Sequence, residues 1–404
     1  MKIKTVFLWI SWLLLCIAIT LGLIFMLHQY LNPASPVQSE IINPSTDIPK
    51  EEVKVDPVID QSVFKEHYEE AVEWMNTLTL KEKIGQLFFI RNPMPENIVA
   101  NMEYQPGGLI MFARDFDYKE KEEVINNNAY YQSLSKIPLL IGVDEEGGEV
   151  IRVSRNQALV PTPFPSPQAL YAGGGMVDVI NDAKIKSLYL KELGINVNLA
   201  PVADIASDVN DYIYNRTIGL DSVGTSEYIV NVVRTMNQEN MGATLKHFPG
   251  YGNNIDTHFD LAVDERDKRT FYDCDFLPFS AGIEANVPSI LVSHNIVKAF
   301  DEAPASLSKK MHDVLREELK FTGVIMSDDL YMQAIKSYMN DVDPCIEAIK
   351  AGNDLLIVTD FMSGFSSLEA AVNNGEITEE RINESVIRIL AWKLQLGLKI
   401  SMEG

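Results

Sequence analysis

The sequence predicts a parallel α/β fold, a (β/α)8 or TIM-type barrel, preceded by a transmembrane helix and a linker. Three observations lead there. Eight short apolar runs recur between residues 85 and 360, almost without the in–out alternation of a strand that is wet on one face. Amphipathic stretches such as KKMHDVLREELK (309–320) and PCIEAIKAG (344–352) separate runs of this kind. Six of the eight runs end in a side chain able to do chemistry: Asp144, Asp204, His247, His294, Asp328 and Asp360. Eight strands buried on both faces favour a closed barrel over an open sheet, and such barrels build their sites at the C-terminal strand ends. Turns also favour Asp and Asn, so roughly half of these six are expected to serve turns alone.

Taken in order, the chain opens with an uncharged apolar run at residues 5–27, long enough to cross a bilayer as a helix. Lys2 and Lys4 precede it, which places the N-terminus in the cytoplasm and the remainder outside. A cleaved signal peptide, giving a secreted protein, is the competing reading. The run is long for that and lacks a small-x-small cleavage site. Residues 1–28 are therefore read as a single-pass anchor. Residues 29–61, rich in Pro, Ser and acidic side chains, read as a linker. Residues 62–404 form one barrel domain. Its candidate strands are GQLFFIR (85–91), GGLIMFA (107–113), PLLIGVD (138–144), INVNLAPVAD (195–204), GATLKHF (242–248), SILVSHN (289–295), GVIMSDD (323–329) and DLLIVTD (354–360).

Composition removes several function classes. With 34 basic against 57 acidic residues, the chain carries a net charge of -23 and repels phosphate backbones, so no nucleic acid partner is expected. Of three cysteines, Cys16 lies in the apolar run, and Cys274 and Cys345 are too few and too far apart for a disulfide scaffold or a metal site.

The stretch KHFPGYGNNIDTHFD (246–260) holds two of only six histidines around a polar Pro-Gly-x-Gly turn. That placement suits proton chemistry or ligand contact better than a core role. The string DEEGGEVIR (144–152) resembles the D-x-E-G-G-x-V-x-R segment of glycoside hydrolase family 3. GINVNLAPVAD (194–204) resembles that family's G-I-N-x-N-x-A-P-V-x-D strand, and KHFPGYGNNIDTH its K-H-F-P-G-x-G…D-[ST]-H loop. PASLS (304–308) with FTGVIMSDDLYM (321–332) resembles the segment bearing its nucleophile. The motifs come in family order and cover nearly everything from residue 70 onward. The D-x-H loop is similar to that of the single-domain bacterial β-N-acetylglucosaminidases.

The resemblance implies that Asp328 is the nucleophile. Asp328 ends an apolar run, so its carboxylate should project into the barrel mouth, where it can attack an anomeric carbon. In the bland reading one of Asp328 and Asp329 caps the next helix, and Asp329 is assigned that structural part. The resemblance gives general acid/base duty to His258, paired with Asp256. Their i, i+2 spacing puts both on one side of an extended segment, where the carboxylate orients the ring. By analogy Asp144, Arg152, Arg216, Lys246 and His247 bind sugar hydroxyls, although a lone Arg is more often an ion-pair residue. The sequence departs from the family pattern at Glu145 (usually Gln), Glu149 (usually Arg), Tyr251 (commonly His) and Asn253-Asn254 (commonly Asp-Thr), and its loop is one residue shorter.

The implied function is that of a retaining β-N-acetylhexosaminidase acting on terminal β-linked N-acetylglucosamine of cell-wall or chitin-type oligosaccharides, with neither cofactor nor metal. A carbohydrate is the expected substrate partner, the membrane is contacted through the N-terminal helix, and a monomer is expected. Two alternatives stay open: a glycoside phosphorylase, because a His acid/base does not repel phosphate, and a non-catalytic sugar-binding barrel.

Overall fold

The computed structural model describes residues 62–206, 208–252, 262–339 and 343–399. The anchor and linker expected in residues 1–28 and 29–61 lie outside the described residues. Among those described, no helix is long and apolar enough to cross a membrane.

Ten strands are present among them: β1 (Phe88–Arg91), β2 (Gly108–Met111), β3 (Leu140–Val143), β4 (Val197–Asn198), β5 (Gly242–Phe248), β6 (Val263–Asp264), β7 (Ser289–Val292), β8 (Ile296–Val297), β9 (Val324–Ser327) and β10 (Leu356–Val358). Eight form one parallel sheet in the order β10-β1-β2-β3-β4-β5-β7-β9. Met326 of β9 also bridges Leu355, just ahead of β10, in parallel register, which brings the sheet close to a complete ring. The eight predicted runs each contain one of these strands.

The missing alternation in the sequence has its cause in the pleat. Phe88 points outward and meets Phe361 edge-to-face at 5.2 Å on a covering helix, Phe361–Asn373. Phe89, the next residue, points into the barrel, where a Cβ on Gly142 would lie 2.4 Å from its ring. Both faces are dry, so both positions are apolar.

Local signals set the helix starts. Thr79 and Glu82 form a capping box ahead of Leu80–Gln86, Asp221 caps Ser222–Gln238 and Thr378 caps Glu379–Gln395. The stretch Pro167–Glu192, entered through a Ser166 cap and a first-turn proline, departs from helical geometry at Gly174 and Gly175.

Two details differ from expectation. The run 195–204 supplies only Val197–Asn198 to the ladder, plus one bridge from Val202 to Lys246, because Pro201 has no N–H to donate. A second small sheet pairs β6 with β8 in parallel. At two residues per strand, it is too short to show a periodicity.

Candidate active site

The C-terminal end of β3 delivers three consecutive carboxylates with three separate duties. Glu145 is fully buried and accepts from the backbone N–H groups of Arg152 and Val153, both at 2.7 Å, and from Ser154. It therefore folds the segment after Gly147-Gly148 back over the strand end. That return brings Arg152 Nη2 to 3.8 Å from Asp144 Oδ2. Gly148 needs its positive φ of 68° to make the turn.

Glu146 is the hub. Arg216 grips it with two bonds, Nε to Oε2 at 3.0 Å and Nη2 to Oε1 at 2.8 Å. Lys246, at the end of β5, lies 2.6 Å from the same Oε1 and donates to Asp144 Oδ1 at 2.7 Å. Burial disfavours a charged Glu146, but the Arg216 and Lys246 cations outweigh it and hold the carboxyl well below its ordinary range. The Arg216 guanidinium is likewise held in its charged form: burial opposes the charge, and Glu146 more than restores it.

His247 is read from its partners. Arg216 Nη2 lies 3.0 Å from His247 Nε2 and can only donate, so Nε2 accepts and carries no proton. The ring proton then sits on Nδ1, which donates to Asp204 Oδ2 at 2.7 Å. Asp204 also receives the backbone N–H of His247 at 3.0 Å and of Tyr251 at 2.7 Å. Both ring nitrogens are thus engaged inside the protein, and a sugar contact from His247 requires Arg216 to give way. Lys246, Arg216, Arg152 and Asp144 are charged side chains gathered around the Glu146 hub and the end of β3.

At the end of β9, Asp328 N–H donates to Val292 O of β7 at 3.1 Å, and Asp328 Oδ1 receives the N–H of Asp329 at 2.8 Å. The Asp329 carboxylate turns away: Oδ2 accepts from Thr359 Oγ1 at 2.6 Å and Oδ1 from Tyr331 N at 3.0 Å, tying β9 to β10. His294 bonds Ser306 Oγ at 2.7 Å and the Asp329 carbonyl at 2.9 Å, in a fully buried position. Asp360 caps the helix that begins at Phe361.

The Pro-Gly-x-Gly turn after His247 is held from behind. A Cβ on Gly250 would lie 2.5 Å from Asp275 Oδ1, and one on Gly252 2.6 Å from the Arg266 guanidinium. Arg266 joins Asp275 (3.1 Å) to Asp264 (2.8 Å), the latter on β6. Burial pushes the Asp275 carboxyl up to about 6 despite Arg266. The two glycines are therefore required by positive φ (117° and 56°) and close approach, and the turn itself is a packed base.

Of the residues singled out from the sequence, Asp144, Arg152, Arg216, Lys246 and His247 converge in one network, and Asp328 stands on the same end of the barrel. His258 and Asp256 lie outside the described residues. The sequence marks Asp204 only as a strand-end carboxylate and assigns nothing to Glu146, although both stand within the family-like motifs. The usable signal for Glu146 was a carboxylate buried beside two others, which demands cations from elsewhere in the chain. Among the described residues, no group of three or more His, Cys, Asp or Glu side chains is arranged to hold a metal ion.

The hub makes a direct prediction. Glu146→Gln strips the buried Arg216 and Lys246 of their common counter-charge, and is expected to cost about 3–5 kcal/mol of stability near neutral pH. The folded-state affinity of Glu146 for its proton is depressed, so its stabilisation is present above the ordinary value of 4.5 and is lost as pH falls below it. Denaturant melts from pH 7 to 3 should show a smaller acid loss in Glu146→Gln than in the parent. Equal losses would contradict this assignment.

Residues 79–392 match the model of the glycosyl hydrolase family 3 N terminal domain. "Beta-hexosaminidase A" of Pseudoalteromonas piscicida is 30% identical over 331 residues, covering 75% of this chain and 55% of that protein. "Beta-hexosaminidase" of Xylella fastidiosa (strain 9a5c) is 32% identical over 257 residues, covering 62% and 75%. The chain thus spans about half of the first relative and three quarters of the second. Among solved structures, a glycoside hydrolase family 3 β-N-acetylglucosaminidase from Paenibacillus sp. str. FPU-7 superposes with a TM-score of 0.75 at 30% identity, over 81% of this chain and 65% of that one.

Proposed function

The chain belongs to glycosyl hydrolase family 3, and we propose that this glycoside hydrolase removes terminal β-linked N-acetylglucosamine from cell-wall or chitin-type oligosaccharides with retention of configuration. The observation that carries the reading is one barrel end bearing both Asp328 and the Asp144–Lys246–Glu146–Arg216 network. The naming of its relatives as β-hexosaminidases supports the sugar class.

In this reading Lys246, Arg216, Arg152 and Asp144 hold the sugar hydroxyls, while His247 and Glu146 keep Arg216 in place. Asp328 attacks the anomeric carbon as the glycosidic C–O bond breaks, and protonated His258 gives its proton to the departing oxygen. Neutral His258, oriented by Asp256, then takes a proton from water. The water oxygen bonds to the anomeric carbon and releases the Asp328 carboxylate.

The test is incubation of the full chain with nitrophenyl N-acetyl-β-glucosaminide, with and without phosphate, followed by identification of the sugar. Free N-acetylglucosamine is the expected product in both. Sugar phosphate would replace the reading by a phosphorylase, and binding without turnover by a sugar-binding barrel. The Lys2/Lys4-flanked apolar run further supports a single-pass anchor with the barrel outside the cell. Protease added to intact cells should then release the barrel by cutting within residues 29–61, and full protection until lysis would refute that topology.

A further inference from the structure

The barrel end opposite the mouth carries a concentration of positive charge that the proposed hydrolysis does not use. Asp354 immediately precedes β10 and is fully buried. Three arginines converge on it: Arg316 Nη2 at 2.5 Å, Arg388 Nη1 at 3.0 Å and Arg381 Nη1 at 4.0 Å. One carboxylate thus faces three guanidiniums. Its oxygens also accept from Ser385 Oγ at 2.7 Å and from Ile325 N–H at 2.9 Å, so its capacity is filled.

The three arginines line one side of a cavity of about 540 Å³ that also reaches Lys309, Lys350 and Glu384. The lysines already have carboxylate partners: Lys309 pairs with Asp313 at 2.6 Å, and Lys350 with Glu376 at 2.6 Å and Glu347 at 3.0 Å. The arginines share Asp354, with Glu384 acting on Arg381 through its charge. Arg316 spends Nη1 on the carbonyls of Phe321 and Gly323, and Arg381 spends Nη2 on that of Asn353. Arg388 engages only Nη1 among the described residues, leaving Nε and Nη2. Side-chain exposures of 21%, 23% and 30% for Arg316, Arg381 and Arg388 keep the group reachable from solvent.

We propose that this pocket is a binding site for a phosphate-class oxyanion, held by Arg388, Arg381 and Arg316 at the N-terminal ends of β9 and β10. A tetrahedral oxyanion meets three guanidiniums whose shared buried carboxylate, Asp354, is already saturated, and guanidinium forks match its oxygens. The crowding is visible in the acid–base balance of Arg316. Burial, then the neighbouring Arg388, lowers it to about 9 in spite of Asp354. The same chemistry is offered by a soluble phosphate and by a lipid headgroup. Ser62, the first described residue, lines the pocket.

The experiment is a titration of the full chain with inorganic phosphate, read by thermal unfolding, with sodium chloride matching the ionic strength at every point. A Tm that rises and saturates with phosphate, but not with chloride, is expected. Arg388→Gln should weaken the apparent affinity roughly ten- to hundredfold, the scale of charge-assisted hydrogen bonds. Because Arg388 also touches Asp354, a second variant removes the alternative of mere destabilisation. Glu384→Gln deletes an exposed pocket carboxylate and should tighten phosphate binding roughly two- to fivefold. Parallel sedimentation with phosphatidylglycerol and phosphatidylcholine vesicles separates the sources, using residues 62–404 only if that piece unfolds cooperatively on its own. Selective, Arg388-dependent pelleting with phosphatidylglycerol identifies a headgroup site, and a phosphate response without it identifies a soluble ligand. A Tm that follows ionic strength alone, with neither variant changing it, overturns the proposal.

Discussion

Asp328→Gly is expected to lower turnover of nitrophenyl N-acetyl-β-glucosaminide by about 10⁴-fold or more, the scale on which removal of a covalent nucleophile acts. The loss should fall on the first displacement, since the anomeric carbon then has no protein atom to bond. Azide supplied in solution is small enough to enter the space left by the carboxylate, and should restore part of the rate. Its product should be the α-glycosyl azide, formed by one displacement, whereas the parent enzyme should first release the β-anomer, formed by two. Asp329→Asn is the control. Asp329 faces Thr359 and Tyr331, so its loss should show mainly as lower stability with most turnover retained. A parent that first releases the α-anomer, or an Asp329 variant that is the dead one, would displace Asp328 from the nucleophile's role.

His258→Ala is expected to separate substrates by leaving group. With a sugar or alkyl leaving group, departure needs a proton, and the variant should lose about 10²–10⁴ in rate. With nitrophenolate, departure needs little help, so the first displacement should survive while attack by water slows. The glycosyl-enzyme then accumulates and should appear as a burst of nitrophenolate and as a sugar adduct in intact-mass spectra. Asp256→Ala should give a milder form of the same pattern, because it removes only the group that orients the ring. His247→Ala should differ in kind. It unseats Arg216 and Asp204 and should weaken both substrate types alike, as lost binding does. Equal slowing of both types in His258→Ala, with no burst, would assign the proton to another group.

Much of the fold was readable from residue order because its causes are local. A strand with two dry faces must be apolar at successive positions, as Phe88 and Phe89 are, and the caps at Thr79, Asp221 and Thr378 act within three residues of themselves. The parallel barrel follows from repeating that unit eight times. The strand-end residues Asp144, Lys246 and Asp328 were readable for the same reason, since each is the first charged position after an apolar run.

The pairings within the site were not readable, because they join residues far apart in the chain. Lys246 reaches Asp144 across 102 positions, Arg216 reaches Glu146 across 70, and His247 reaches Asp204 across 43. No local period encodes such contacts, so the segment DEEGGEVIR contains Glu146 without revealing that it holds two cations. The same holds for the opposite end, where Arg316, Arg381 and Arg388 meet Asp354 only because adjacent barrel segments bring them together. Burial then does what sequence cannot. Once water is excluded, each charge must find its partner in the protein, and the barrel's tertiary arrangement alone decides which partners are within reach. From its sequence the chain determined its strands, its caps and the polar residues at its strand ends. The tertiary structure decided which of those residues hold one another, the tautomer of His247, and the gathering of three arginines on one buried carboxylate beneath the barrel.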